Sequence, residues 1–330
     1  MRTRTLGSSG ITVGEVGLGC WAIGGPSWRD GEPVGWSGAD DERSLAGLRR
    51  AVELGVTHLD TADVYGDGHS ERLIGRLLRE IPRERVVVAS KVGWFKGTAP
   101  AFMDPLHIRH QLEQTLANLG ADHLDVYYLH HADFGPDDRY LEPAAELMRT
   151  FQREGKIRAI GQSAYSFADF QRVCPVVRPG VVQFSYSALG SDYDAPDTDL
   201  FAWAEGHGYG IVLFSPLAQG LLLDKFDPAN PPRFGEGDIR AAGDRFEPAN
   251  LARLRERLAP IKARFGATPQ DLARIALQVA LARSPNACVI PGFKDSTQVE
   301  INLAGADAPL LADDIAFVRR HLQRSQGATR

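Results

Sequence analysis

Four polar side chains stand out in the sequence for where they sit. Asp60 ends the short run Thr57-His58-Leu59, Lys91 follows Val86-Val87-Val88-Ala89-Ser90, and His130 follows Asp125-Val126-Tyr127-Tyr128-Leu129. Tyr65 lies in the loop after Asp60. Singly, each has an ordinary explanation: an aspartate capping a turn, a packing tyrosine, a solvated loop lysine, a half-buried histidine. At the ends of consecutive strands they form a set that can reduce a carbonyl group. Hydride addition to a carbonyl carbon leaves an alkoxide, which needs a proton at its oxygen. A tyrosine, with an ordinary pKa of about 10, is a poor acid near neutrality. A buried ammonium beside it favours the phenolate and lowers that value. Once desolvated, the lysine needs a counter-charge, which Asp60 would supply. A histidine can hydrogen-bond the carbonyl oxygen and orient it. The expected roles are general acid for Tyr65, its tuner for Lys91, anchor for Asp60 and orienter for His130.

These residues converge only if the strands that carry them are neighbours. Short β-rich runs at 15–19, 57–60, 85–90, 125–129, 159–163, 181–185, 211–214 and 287–290 alternate with amphipathic segments at 41–54, 71–78, 108–119, 143–153 and 199–205. Two more helical segments, 248–265 and 269–282, precede the last strand. Most strand runs are continuously apolar, as expected of parallel strands buried on both faces. Ser70 before Glu71, the box from Ser166 to Asp169, and Thr268-Pro269 mark helix starts. Strands each followed by a helix predict an α/β fold closed as a (β/α)8 TIM barrel, whose active face is formed by the C-terminal strand ends. A doubly wound open sheet is the competing arrangement. Residues 4–6 and 11–13, around Gly7-Ser8-Ser9-Gly10, predict a short N-terminal hairpin acting as a lid. No linker is evident, so residues 1–330 are expected to form one domain. The stretch 219–247 is too irregular for a simple βα loop and would overhang the active face, where long loops usually serve function.

Composition narrows the class. The 37 basic and 42 acidic residues give a net charge of -5 with no long block of one sign, which argues against a nucleic-acid partner. Cys20, Cys174 and Cys288 are far apart and form no C-x-x-C, which suits neither a disulfide framework nor a zinc site and fits a reducing compartment. The start lacks an apolar leader, and nowhere do about 18 apolar residues run together. A cytoplasmic protein without a membrane partner is expected. Gly17-Leu18-Gly19-Cys20-Trp21-Ala22 spells the G-x-G-x-x-A dinucleotide fingerprint, but that motif must open a helix. Here Ile23-Gly24-Gly25-Pro26-Ser27-Trp28 follows, a loop sequence. The glycines are better read as letting backbone approach a ligand at the mouth of the first strand.

The segment Gly55-Val56-Thr57-His58-Leu59-Asp60-Thr61-Ala62-Asp63-Val64-Tyr65-Gly66, running on to Glu71 and Gly75, resembles the first signature of the aldo-keto reductase superfamily. Lys91 in Ala89-Ser90-Lys91-Val92 and His130 after Leu129 match that family's lysine and histidine. The similarity runs from Leu6 to about Leu303 and is greatest to the bacterial branch with Gly-x-x-x-x-Gly-Gly, here Gly19 to Gly25. The resemblance implies a (β/α)8 barrel, the tetrad Asp60, Tyr65, Lys91 and His130, and a nicotinamide cofactor held without a Rossmann fold. NADPH is the expected cofactor, with NADH possible. Gly19, Cys20 and Trp21 fall at the mouth of the first strand. Ser163 and Gln183 match residues that hold the carboxamide, although relatives carry Asn where Ala164 stands. Phe214 takes the place of the aromatic that stacks on nicotinamide, and Ser215, Leu217, Gln219 and Gly220 fall in the segment that covers the pyrophosphate. Gly292, Lys294, Gln298 and Asn302 resemble the adenosine-phosphate site, with Lys294 suited to a 2′-phosphate and Ile301 replacing a usual Glu. Trp21, Trp28, Trp94 and Phe95 are expected to frame an apolar pocket for a small-molecule aldehyde or ketone. Two other readings compete. A metal-dependent hydrolase would use Asp60, His130 and His131, but the early strands carry no H-x-H pattern. A redox-sensing regulatory subunit would bind NADPH with little turnover.

Overall fold

The computed structural model describes residues 1–191, 193 and 195–323. The chain opens with an antiparallel pair, β1 (Thr3–Thr5) and β2 (Thr12–Gly14), with Arg4 opposite Val13. Next come β3 (Leu18–Gly19) and a two-stranded ribbon of β4 (Trp28–Arg29) and β5 (Glu32–Pro33). Helices and strands then alternate: α1 (Asp41–Glu53), β6 (His58–Asp60), α2 (His69–Leu78), β7 (Val87–Val92), α3 (Pro105–Leu119) and β8 (Leu124–Leu129). The alternation continues through α4 (Leu141–Arg153), β9 (Ile157–Ser163), α5 (Phe167–Val177), β10 (Val181–Ser185), α6 (Leu200–Gly206) and β11 (Gly210–Phe214). The chain finishes with α7 (Pro248–Phe265), α8 (Pro269–Leu281), β12 (Ala287–Ile290), α9 (Ser296–Leu303) and α10 (Ala312–Leu322).

The parallel sheet runs β3-β6-β7-β8-β9-β10-β11-β12. Its edges meet. Gly17 N–H donates to the Val289 carbonyl at 2.9 Å, Val289 N–H to the Glu15 carbonyl at 2.9 Å, and Gly19 N–H to the Pro291 carbonyl at 3.0 Å. This closure selects the barrel over the open sheet. Alternate residues of each strand face opposite sides. One set, including Ala89, Val126, Tyr128, Val181 and Val212, fills the barrel, where Leu6, Ile11 and Val13 of the hairpin join it. The other set packs beneath the helices with Leu45, Leu73, Leu112 and Phe170. Burial on both faces is why the strands read as unbroken apolar runs.

The helix starts are held by their caps. Asp40 accepts from the Arg43 N–H at 2.9 Å, Asp104 caps α3 ahead of Pro105, and Ser166 accepts from the Asp169 N–H at 3.1 Å. Thr268 and Asp271 cap α8 reciprocally. Ser70 is not a cap: α2 begins at His69 behind Gly68, whose φ is 80°. Its hydroxyl donates to the Cys20 carbonyl and accepts from Thr61, both at 2.8 Å, tying the first two βα loops together. β7 also runs on to Val92, so Lys91 lies within the strand rather than after it.

After β3 comes one short 3-10 turn, Ala22–Gly24, and then the ribbon, with no helix until α1. The G-x-G-x-x-A match is therefore not a Rossmann turn. The 219–247 stretch crosses the C-terminal face to this ribbon. Gly35 N–H donates to the Gly237 carbonyl and Ile239 N–H to the Gly35 carbonyl, both at 3.0 Å. Phe226, Phe234 and Phe246 pack with Leu221 and Leu251 in a satellite cluster beneath it. Among the described residues no helix is long and apolar enough to cross a membrane.

Candidate active site

The barrel brings Asp60, Tyr65, Lys91 and His130 together. Asp60 opposes Ala89 in register, and Thr61, Asp63 and His130 extend the ladder with N–H bonds to the Ala89, Lys91 and Val92 carbonyls. Lys91 is fully buried and donates to Asp60, to the Thr61 carbonyl at 2.8 Å and to the Tyr65 hydroxyl at 3.3 Å. The Tyr65 and His130 rings lie 6.0 Å apart, edge to face. Trp21 stacks on the other side of Tyr65 at 5.9 Å, its indole N–H donating to the Val34 carbonyl at 3.0 Å. Two glycines let this loop close. A Cβ at Gly24 would lie 2.7 Å from the Tyr65 carbonyl carbon, and one at Gly66, with φ +62°, would lie 1.9 Å from the Gly24 oxygen.

The electrostatics differ from the sequence expectation in one respect. Burial holds the Tyr65 phenol well above its ordinary value, and the nearby Asp60 carboxylate adds to this. Lys91, 3.3 Å from the hydroxyl, does not offset burial. His130 is held well below the usual histidine value by burial, then by Lys91, His131 and Arg29. The site thus presents a neutral phenol and a neutral imidazole, each able to donate one hydrogen bond. His131 faces elsewhere: its Nε2 meets the Gly93 carbonyl at 2.5 Å, and its ring packs on Trp94 at 4.5 Å.

Tyr65 and His130 line a cavity of about 380 Å³ together with Asp60, Gln183 and Phe214. The same cavity is lined by Gly19, Trp21, Trp94, Ser215, Leu217, Gln219, Gly220, Gly292, Lys294, Gln298 and Asn302. Lys91 is fully buried and meets the cavity only through Asp60 and Tyr65, and four other expected residues do not line it. The Cys20 side chain is turned into the core, and burial raises its thiol pKa. Ser163 is buried beside Gln183, its register partner, and its hydroxyl finds no hydrogen-bond partner among the described residues. Trp28 and Phe95 lie outside, 52% and 41% exposed. Gln183 donates to Asp60 at 2.8 Å, and Asn302 to the Gly292 carbonyl at 3.0 Å, shaping the loop before α9. Ser215, Ala218 and Gln219 all adopt left-handed backbone (φ 56°, 48° and 57°), an energetic cost concentrated in the segment that lines the cavity after β11.

Away from the tetrad the cavity wall is cationic. Lys225, Arg240 and Lys294 all line it. Lys294 donates to the Ser37 carbonyl, and burial followed by repulsion from Arg240 lowers its pKa to about 8. Asp238 clasps the crossing segment to the ribbon, accepting from the Ser37 N–H at 2.8 Å, the Ser37 hydroxyl at 2.7 Å and Arg240 Nη2 at 2.6 Å. Burial would raise its pKa, but these bonds outweigh it and hold the carboxyl at about 2. Arg29, Trp36, Tyr165, Lys225 and Arg240 also line the cavity. They escaped the sequence reading because they sit on segments without periodicity. Alternation in the β4 pair Trp28-Arg29 was the available signal for Arg29.

The model of the aldo/keto reductase family matches residues 15–323. An uncharacterized oxidoreductase of Mycobacterium tuberculosis is 33% identical over 303 residues, covering 91% of this chain and 86% of its own. The NADH-specific methylglyoxal reductase of Escherichia coli is 29% identical over 339 residues, covering 95% and 98%. The structure of an aldo-keto reductase from Klebsiella pneumoniae in complex with NADPH superposes with a TM-score of 0.69 at 25% identity, over 100% of this chain and 99% of that one. A closed parallel barrel with Asp60, Tyr65, Lys91 and His130 at adjoining strand ends, and a family match over nearly all of its length, mean that this chain belongs to the aldo/keto reductase family of oxidoreductases.

Proposed function

We propose that the protein reduces aldehydes or ketones to alcohols, with NADPH as the preferred cofactor and Tyr65 as the proton donor. The observation that carries this reading is the buried Lys91, hydrogen-bonded to both Asp60 and Tyr65 at the end of a cavity that Asp60, Tyr65 and His130 line. The cavity suits a nicotinamide dinucleotide along its length. Gln183 on the cavity wall, with the unpartnered Ser163 hydroxyl buried next to it, suits a carboxamide, and Phe214 offers a ring face. Lys225, Arg240 and Lys294 offer charge for phosphates, which favours the cofactor carrying the additional 2′-phosphate. The E. coli relative named for NADH and the Klebsiella structure with NADPH support this cofactor class.

Bound there, the reduced nicotinamide supplies a hydride. The chain's own residues do the rest. His130, kept neutral by burial, donates a hydrogen bond to the carbonyl oxygen and fixes its position. Tyr65, protonated throughout the physiological range, delivers its proton to that oxygen as negative charge develops. Lys91 hydrogen-bonds the phenolate that remains, and Asp60 keeps the lysine in place. Trp21 and Trp94 flank the tetrad and keep water from it.

Mixing the protein with NADPH and benzaldehyde and following cofactor absorbance tests this. Tyr65→Phe is expected to lower turnover by about 10²–10⁴-fold, the usual weight of a general acid, while NADPH still quenches tryptophan fluorescence. Equal cofactor consumption by both proteins overturns the assignment of Tyr65. Very slow turnover of every aldehyde beside tight NADPH binding points to a redox-sensing subunit.

A further inference from the structure

β4 is two residues long, and its side chains point to opposite faces. Trp28 lies outside, where a Cβ at Gly237 would approach its ring to 2.9 Å. Arg29 points inward and lines the cavity. Its guanidinium carbon sits 4.3 Å from the centroid of Trp94. Trp94 in turn packs against His130 at 6.3 Å and Tyr165 at 6.0 Å. The guanidinium therefore stands beside the reacting end of the cavity.

Of the other cations of the cavity wall, Arg240 pairs with Asp238, Lys294 donates to the Ser37 carbonyl, and Lys225 lies over the Phe226 ring. Among the described residues Arg29 has no carboxylate partner and no side-chain hydrogen bond, although Glu32 lies opposite it in the ribbon. Stacking on an indole uses the face of the guanidinium and leaves its in-plane N–H fork free, the geometry that takes a carboxylate through two parallel hydrogen bonds. A charge half removed from water without an anion is unfavourable, and an incoming anion relieves it.

We propose that Arg29 binds a carboxylate on the substrate, so that the preferred substrates are oxo acids: aldehydes or ketones bearing a carboxylate about one aromatic ring from the reacting carbonyl. This rests on the reading of the site as a carbonyl reductase. The carboxylate is a spectator. The carbonyl carbon gains the hydride and its electron pair, the oxygen gains the Tyr65 proton, and the product is the hydroxy acid. Arg29 also contributes to the low proton affinity of His130, and a carboxylate on the guanidinium offsets that influence.

The test uses a matched pair, 4-carboxybenzaldehyde and the neutral 4-formylbenzamide, with NADPH. Wild type is expected to favour the carboxylate in kcat/KM by about 10–100-fold, the range of a charge-assisted hydrogen bond, chiefly through KM. Arg29→Gln removes most of that preference, and Arg29→Lys restores part of it. Binding of the two alcohol products, 4-(hydroxymethyl)benzoate and 4-(hydroxymethyl)benzamide, to the NADP⁺ complex is measured in parallel by tryptophan fluorescence. Equal binding of the two alcohols, or an equal loss for both in Arg29→Gln, overturns the anion site whatever the turnover. Arg29-dependent discrimination in binding without turnover of either aldehyde supports the anion site and overturns the reductase reading.

Discussion

At the residue scale, Lys91 behind the tetrad and Lys294 on the cavity wall face opposite demands. Lys91 is buried with a carboxylate beside it, so its position is fixed by what it holds. Lys294 is partly buried among other cations, and burial together with Arg240, Lys225 and Arg43 lowers its pKa to about 8, against a smaller pull from Asp238. An anion placed on Lys294 binds its charged form. Affinity for NADPH is therefore expected to be full below about pH 8 and to fall as pH rises through that value. NADH, which lacks the 2′-phosphate, should show a flatter profile, and Lys294→Met should weaken NADPH about tenfold or more while flattening its profile too. Fluorescence titration of both cofactors between pH 6.5 and 9.5 checks this, and parallel profiles for the two would place the 2′-phosphate elsewhere. In the cofactor-free protein the sign reverses. The folded state releases the Lys294 proton near pH 8 and the unfolded chain near the ordinary lysine value of 10.5, so this group adds stability as pH rises between them.

At the element scale, the barrel strands were legible because burial on both faces leaves a local mark, an unbroken apolar run ending in a polar residue. Tyr65 was legible for the same reason, being fixed in spacing to one such strand. The ribbon β4–β5 and the crossing segment left no such mark. Their union is made by residues two hundred positions apart: Gly35 with Gly237 and Ile239, and Ser37 with Asp238. Of the missed helices, α5 carries Pro175 in its interior, and only its Ser166 cap advertised it. The clasp itself makes a prediction. Asp238 accepts from Ser37 and from Arg240, which also lies 4.1 Å over Trp36, so one carboxylate holds the roof of the cavity to its wall. Asp238→Ala leaves Arg240 without its counter-charge and frees the segment. NADPH release, followed by stopped-flow fluorescence, is expected to accelerate about tenfold, equivalent to about 1.4 kcal/mol. An unchanged release rate would show that the clasp plays no part in retaining the cofactor.

At the scale of the whole molecule, the two ends of the barrel divide their labour. The C-terminal ends carry the tetrad and cavity, whereas the N-terminal end is closed by the hairpin, whose Leu6, Ile11 and Val13 complete the barrel interior. That plug was expected as a lid, but its fastening depended on a residue with no sequence signature. Glu15 is fully buried; its carbonyl joins the closing of the barrel through Val289, and its carboxylate accepts from Arg2 Nε at 2.8 Å and Arg4 Nη2 at 3.2 Å. Breaking a buried ion pair by removing one partner strands the other charge. Here both arginines keep some contact with water, so the cost should lie below the full buried value, at about 2 kcal/mol. Glu15→Ala should therefore lower the urea midpoint without changing the slope of the transition, because the folded and unfolded surfaces stay the same. Catalysis is set at the opposite end, so turnover per folded molecule should stay within about twofold of wild type, stability being the role assigned to the N-terminal face of such barrels. Urea unfolding and NADPH-dependent turnover measured on the same sample separate the two. A loss of turnover at an unchanged midpoint would mean that strain at the hairpin is transmitted through the barrel to Tyr65, and that the two ends are not independent.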